Sequence, residues 1–188
     1  MTLNSTFEFN HHRELEGKHA FLSPSKYHWV NYDDDKFDNV YNNFKAVQMG
    51  TRLHALAAEH ILLGLKMPRT KKTLNMYIND AIGYRMTPEQ PLYFSDYCFG
   101  TADAIYFDGK LLRIHDLKTG MAPASMKQLE IYAAIFFLEY GVLPSDVQTE
   151  LRIYQMDEVL VHEPSDEDLV YIMDRIKYLS KRIDMIEQ

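Results

Sequence analysis

Apolar positions recur at helical spacing from Asn39 to Leu65, where Val40, Phe44, Val47, Leu53, Leu56, Ile61 and Leu65 mark one stripe. Gly50 interrupts that segment, so the pattern predicts one long helix or two abutting ones. Upstream, Ser23-Pro24-Ser25 reads as a helix start, with Ser23 as N-cap and Pro24 in the first helical position. Tyr32-Asp33-Asp34-Asp35 is expected to break that element, and residues 1–22 to form an irregular arm. A further helix is predicted near Leu74 to Met86, with Pro88 and Pro91 punctuating its exit. From Leu92 to Leu117 the period shifts towards strands. Tyr93, Tyr97 and Phe99, then Ala104, Tyr106 and Phe107, precede the hairpin signal Asp108-Gly109 and a return strand from Leu111 to Leu117. Ser125 to Tyr140 predicts a helix stopped by Gly141 and Pro144. Glu150–Met156 and Val159–His162 read as strands, and Ser165–Ile186 as a capped helix. This order predicts an α/β or α+β fold with a central mixed β-sheet flanked by helices.

Composition narrows the class. With 188 residues, 46% of them hydrophobic and 25% charged, the chain suits one compact soluble domain. Residues 23–140 would be its core, and 141–188 would add strands and a helix. The longest apolar runs fall far short of a membrane span. The opening MTLNSTFEFNHHRELEG is polar and carries acids, unlike a secretory or transit signal. A single cysteine, Cys98, excludes intrachain disulfides, cysteine-based zinc fingers and an iron–sulfur cluster held by four thiolates of one chain. A reducing cytoplasm fits.

The formal net charge of -7 argues at first against a polyanionic partner. Its distribution changes the picture. Residues 61–120 carry eight bases and six acids, whereas residues 141–188 carry five bases and eleven acids. Exposed charges are screened beyond about 8 Å at physiological salt. The total therefore predicts a polarised molecule and leaves DNA open.

Gly100-Thr101-Ala102-Asp103 and, thirteen positions after Asp103, Asp116-Leu117-Lys118 are the segments that carry chemistry. The two acids fall on strands joined by the Asp108-Gly109 turn. Asp116 and Lys118 are two apart and so leave the same strand face. Two carboxylates beside an ammonium suit a hard divalent cation that takes oxygen ligands and substrate phosphate. The lysine can then orient an attacking water. On this pattern alone, a wet strand face or a surface Asp-x-Lys ion pair reads equally well.

Further residues reduce that ambiguity. Asp103, Asp116-Leu117-Lys118-Thr119-Gly120, and Gln128 with Tyr132 four residues later resemble the PD-(D/E)xK nuclease superfamily, specifically its RecB-like exonuclease branch. Gly50-Thr51-Arg52-Leu53-His54 matches that branch's upstream histidine segment, and Leu22-Ser23-Pro24-Ser25 resembles its usual opening. The likeness covers roughly residues 22–140 and implies a restriction-endonuclease-like core. It implies that His54, Asp103 and Asp116 bind metal, with the Leu117 carbonyl as a further ligand and Lys118 as the catalytic lysine. Gln128 and Tyr132, one helical turn apart, would support the site or contact DNA. The cofactor implied is Mg²⁺ or Mn²⁺, one or two ions, with no iron–sulfur cluster.

The resemblance thus implies a small free-standing deoxyribonuclease of phage or prokaryotic type, an exonuclease rather than an endonuclease. It would serve DNA recombination, repair or phage DNA processing in a bacterial or phage-infected cytoplasm. DNA is the expected partner, with a single-strand annealing or recombination protein as a second and no membrane. Lys66, Arg69, Lys71 and Lys72, with Arg52, are candidates for the DNA backbone. Trp29 and Tyr32 could stack on frayed bases, although Trp29 suits core packing better. His115, next to Asp116, points to the opposite face and reads as structural. His11, His12, His19 and His28 have no ligand spacing. The alternative from another class is a catalytically silent nuclease fold that binds DNA or protein within a recombination complex.

Overall fold

The computed structural model describes residues 13, 18 and 20–187; most of the expected N-terminal arm, with His11, His12 and His19, lies outside them. The chain divides into two compact units, one reaching Val47 and the other running from Gln48.

In the first unit, Pro24–Asn31 forms a 3-10 helix where the sequence suggested an ordinary helix start. Ser23 precedes it, but its hydroxyl pairs with that of Ser25 and caps no backbone N–H. The Trp29 indole N–H donates to the Ser23 carbonyl at 3.0 Å. The acidic run expected to break the chain instead starts the next helix, because the Asp33 carboxylate accepts from the Lys36 N–H at 2.8 Å. Phe21 packs edge-on against Phe37 and Tyr41. The following helix, α1 (Asp34–Leu63), is one continuous element, with Gly50 in its interior.

The second unit is built on a five-stranded mixed sheet. Helix α2 (Thr73–Gly83) is followed by β1 (Thr87–Ser95), β2 (Cys98–Phe107) and β3 (Leu111–Leu117). Then come α3 (Lys127–Tyr140), β4 (Gln148–Gln155), β5 (Glu158–His162) and α4 (Asp166–Ile186). Spatial order follows chain order, antiparallel throughout except for the parallel pair β3–β4, which α3 connects. Gly141 ends α3 in the left-handed conformation at φ 66°, and the Ser165 hydroxyl caps α4 by accepting from the Asp168 N–H.

Strand β1 departs from the sequence reading. It begins at Thr87 and runs through both prolines that were expected to punctuate a helix exit. Only one flank of β1 is paired, so the missing proline N–H groups cost it little.

Alternation along the strands divides the core. Leu112, Ile114, Leu151 and Ile153 pack with Leu129, Ala133 and Phe137 of α3 and with Leu169 of α4. Leu117 and Tyr154 pack on the other side with Tyr77, Ile78 and Ala81 of α2 and with Ala57 and Ile61 of α1. His115 also belongs to this second side, fully buried and edge-on to Tyr84. Burial, followed by the nearby Arg152, holds its pKa down to about 3, so the ring is neutral. Among the described residues no helix is long and apolar enough to cross a membrane.

Candidate metal centre

Asp116 is the residue whose burial most needs explaining. It sits near the end of β3, 4% exposed, yet its Oδ2 atom has no hydrogen-bond partner. An uncompensated carboxylate in the interior is costly. Burial, and then the charge of Asp103, raises its pKa, while Lys118 and His54 pull it back.

The β2–β3 ladder ends at the pair Ala104–His115, so Asp103 and Asp116 are the next residues of the two strands at the same end of the hairpin. Asp103 is held from two directions. Its Oδ2 accepts the Leu117 backbone N–H at 2.8 Å and lies 3.3 Å from His54 Nδ1. The Lys118 ammonium donates to Asp116 Oδ1 at 3.1 Å and to Gln128 Oε1 at 2.8 Å. Gln128 thus reaches across from the first turn of α3 to fix the lysine. Six residues singled out from the sequence, His54, Asp103, Asp116, Leu117, Lys118 and Gln128, therefore converge.

Two glycines allow the close approaches. A Cβ on Gly50 would lie 2.8 Å from Thr119 Oγ1, so this glycine brings α1 against the loop that follows Lys118. A Cβ on Gly100 would lie 2.9 Å from Tyr132 Cε1. Tyr132 thus packs its ring on the backbone of β2, three residues before Asp103.

The structure adds Glu89, which the sequence reading did not single out. Pro88 pairs with Ala104 and Gln90 with Ala102, which places Glu89 opposite Asp103 on the neighbouring strand. Donor atoms of His54, Glu89 and Asp103 all lie within 4.8 Å of one another. Glu89 holds an unusual backbone for an L residue in a strand, with φ at 50°. Strands β1 and β2 thus contribute one acid each to this group and α1 the imidazole, while Asp116 of β3 bonds to Lys118 beside it.

The electrostatics of the row show a shortage of positive charge. Burial, then Asp103, raises the pKa of Glu89. The hydrogen bond to Asp103 raises that of His54, burial opposes it, and the charges of Asp103, Asp116 and Glu89 add to the rise. Glu89 and His54 each retain a proton more firmly than they would in water. Carboxylate oxygens with one imidazole nitrogen are a donor set that suits Mg²⁺ or Mn²⁺, the imidazole favouring the latter. The orphaned Asp116 oxygen fits the same need.

The basic candidates lie elsewhere. Lys66, Arg69 and Lys71 line an open hollow of about 540 Å³ with Thr70, Asn79 and Asp80. Asn75 holds that segment in place by donating to the Pro68 carbonyl at 3.1 Å and to Thr70 Oγ1 at 2.8 Å. Lys72 is exposed at its end, and Arg52 is exposed on α1 two residues before His54. None of these side chains is drawn into the acidic row. Comparison with protein-family models, with curated proteins and with solved structures finds no match to this chain.

Proposed function

We propose that this chain is a metal-dependent deoxyribonuclease of the PD-(D/E)xK superfamily, on a restriction-endonuclease-like core of the RecB-like branch, and that it acts as an exonuclease. The observation that carries the reading is the buried Asp116, with one oxygen unpartnered, the other 3.1 Å from the Lys118 ammonium, and the charge of Asp103 nearby. A structural ion pair does not need further acids beside it, and it gives the second oxygen no partner.

His54, Glu89, Asp103 and Asp116 would hold the ion, with the Leu117 backbone beside them. When bound, Mg²⁺ or Mn²⁺ supplies Lewis acidity, which stabilises charge on the scissile phosphate and acidifies the attacking water. Lys118, fixed between Asp116 and Gln128, orients that water and offsets negative charge as the P–O bond to the leaving oxygen breaks. Asp103 holds His54, and the Leu117 N–H holds Asp103, so the donors are positioned before substrate arrives. Lys66, Arg69, Lys71 and Lys72, with Arg52, would take the DNA backbone away from the cut. A bacterial or phage-infected cytoplasm is the proposed setting.

Digestion of end-labelled linear DNA against closed circular DNA tests the reading. With Mg²⁺ or Mn²⁺ the linear DNA is expected to shorten while circles survive, and chelation is expected to stop the reaction. Equal attack on circles would replace exonuclease with endonuclease, and intact DNA of every form would remove the nuclease assignment.

A further inference from the structure

Beside the lysine lies a pocket for which the hydrolysis itself has no use. Its volume is about 250 Å³, and Leu53, Leu74, Met121 and Met156 form its apolar wall, with Lys118 among the residues that line it. Met121 is 79% exposed and Met156 52% exposed, so neither thioether contributes much to the core.

The backbone that carries both methionines is nonetheless tied down. The side chain of Gln155, 6% exposed, donates from Nε2 to the carbonyls of Gly120 and Ala122 at 2.6 and 2.8 Å, clamping the loop on either side of Met121. Met156 and Asp157 make the two-residue turn between β4 and β5, with φ of 48° and 61°. Such a turn favours Asn, Asp or Gly, and a methionine there costs backbone strain. Asp157 ties the turn to the start of α2. Its Oδ1 accepts from the Thr73 N–H at 2.8 Å and from the Thr73 hydroxyl at 3.0 Å, while its own N–H donates to Thr73 Oγ1 at 2.7 Å. Exposed apolar side chains on hydrogen-bonded backbone, one of them in the left-handed region, point to a ligand.

We propose that this pocket receives an unpaired nucleobase, from the nucleotide next to the phosphate held at Lys118. The inference rests on the nuclease reading and names its substrate class as single-stranded or frayed DNA. Every base offers a flat π face to the thioethers, so such a pocket accepts all sequences. Among the described residues that line it Lys118 alone is charged, which suits the base, and its ammonium, held by Asp116 and Gln128, would take the adjoining phosphate on the nuclease reading. Thr73 and Leu74 directly follow Lys71 and Lys72, so a strand leaving the pocket meets basic side chains. A paired base cannot enter without leaving its duplex.

The test is fluorescence anisotropy in Ca²⁺, comparing oligothymidylate with a strand of the same length made of abasic residues. The wild type is expected to bind the intact strand about tenfold more tightly. In the double variant Met121→Ala/Met156→Asn that preference is expected to fall to about twofold or less; asparagine tolerates the left-handed backbone. Met121→Ala alone, at an exposed loop position, is expected to move the preference in the same direction. Equal binding of both strands by the wild type, binding of neither, or a preference undiminished in the variants would overturn the pocket. Hydrolysis of the same intact strand in Mg²⁺ is scored separately. Its absence alongside a clear base preference would count against the nuclease reading and not against the pocket.

Discussion

Asp116→Asn is expected to lower DNA hydrolysis by about a thousandfold or more, while the metal-free protein melts at a higher temperature than its parent. The first effect follows from losing a charged ligand whose contribution to the transition state is several kcal/mol, at about 1.4 kcal/mol for each tenfold. The second follows from burial. The carboxylate is 4% exposed, one of its oxygens is unpartnered, and the charge of Asp103 bears on it. An amide of the same shape removes that charge and still accepts from Lys118. The pH dependence has a definite sign. Burial and Asp103 raise the Asp116 pKa, and the bond to Asp103 raises that of His54. A group raised on folding contributes stability below its ordinary value and loses it as the pH rises through the folded one. The metal-free parent should therefore lose stability as the pH rises above the ordinary carboxylate range through the Asp116 titration, and again above the ordinary imidazole range through that of His54, and the variant should lose less. A variant that melts lower than the parent, or that still cuts DNA, would contradict the role given to Asp116.

Lys118→Met separates holding the ion from doing chemistry. Hydrolysis is expected to fall by about 10²- to 10⁴-fold, the usual range for a lost acid–base or positioning group. Affinity for Mn²⁺ is expected to rise. The Lys118 ammonium donates to Asp116 at 3.1 Å and competes with any cation for that carboxylate. Methionine keeps most of the apolar stem and removes the competitor. Calorimetric titration with Mn²⁺ beside a rate measurement reads both effects. Parallel loss of ion binding and activity would make Lys118 a structural support for the row.

The helices and the central hairpin were legible because their signals are local. Asp108-Gly109 turns β2 into β3, Gly141 stops α3 and Ser165 caps α4, each readable within a few residues. The convergence of Asp103 and Asp116 was legible for the same reason, since a tight turn fixes which residues face each other. Glu89 was not. It lies on an edge strand between two prolines that read as punctuation, and its left-handed backbone follows no strand pattern. Counting back from the Asp96-Tyr97 turn would have reached it only after allowing for the register shift between Tyr93 and Ser95. The Met121–Met156 pocket was less legible still. Gln155 and Gly120 are far apart in sequence, as are Asp157 and Thr73, and contacts of that range leave no local pattern.

In the proposed site, side chains from three strands and α1 hold a divalent cation. Titration of Mn²⁺ followed by electron paramagnetic resonance, on the wild type and on Asp103→Asn/Asp116→Asn, tests it without any assumption about substrate. The wild type should take up one or two ions per chain, and the double variant should lose that uptake while remaining folded. Equal uptake by both proteins, or none by the wild type, would contradict it.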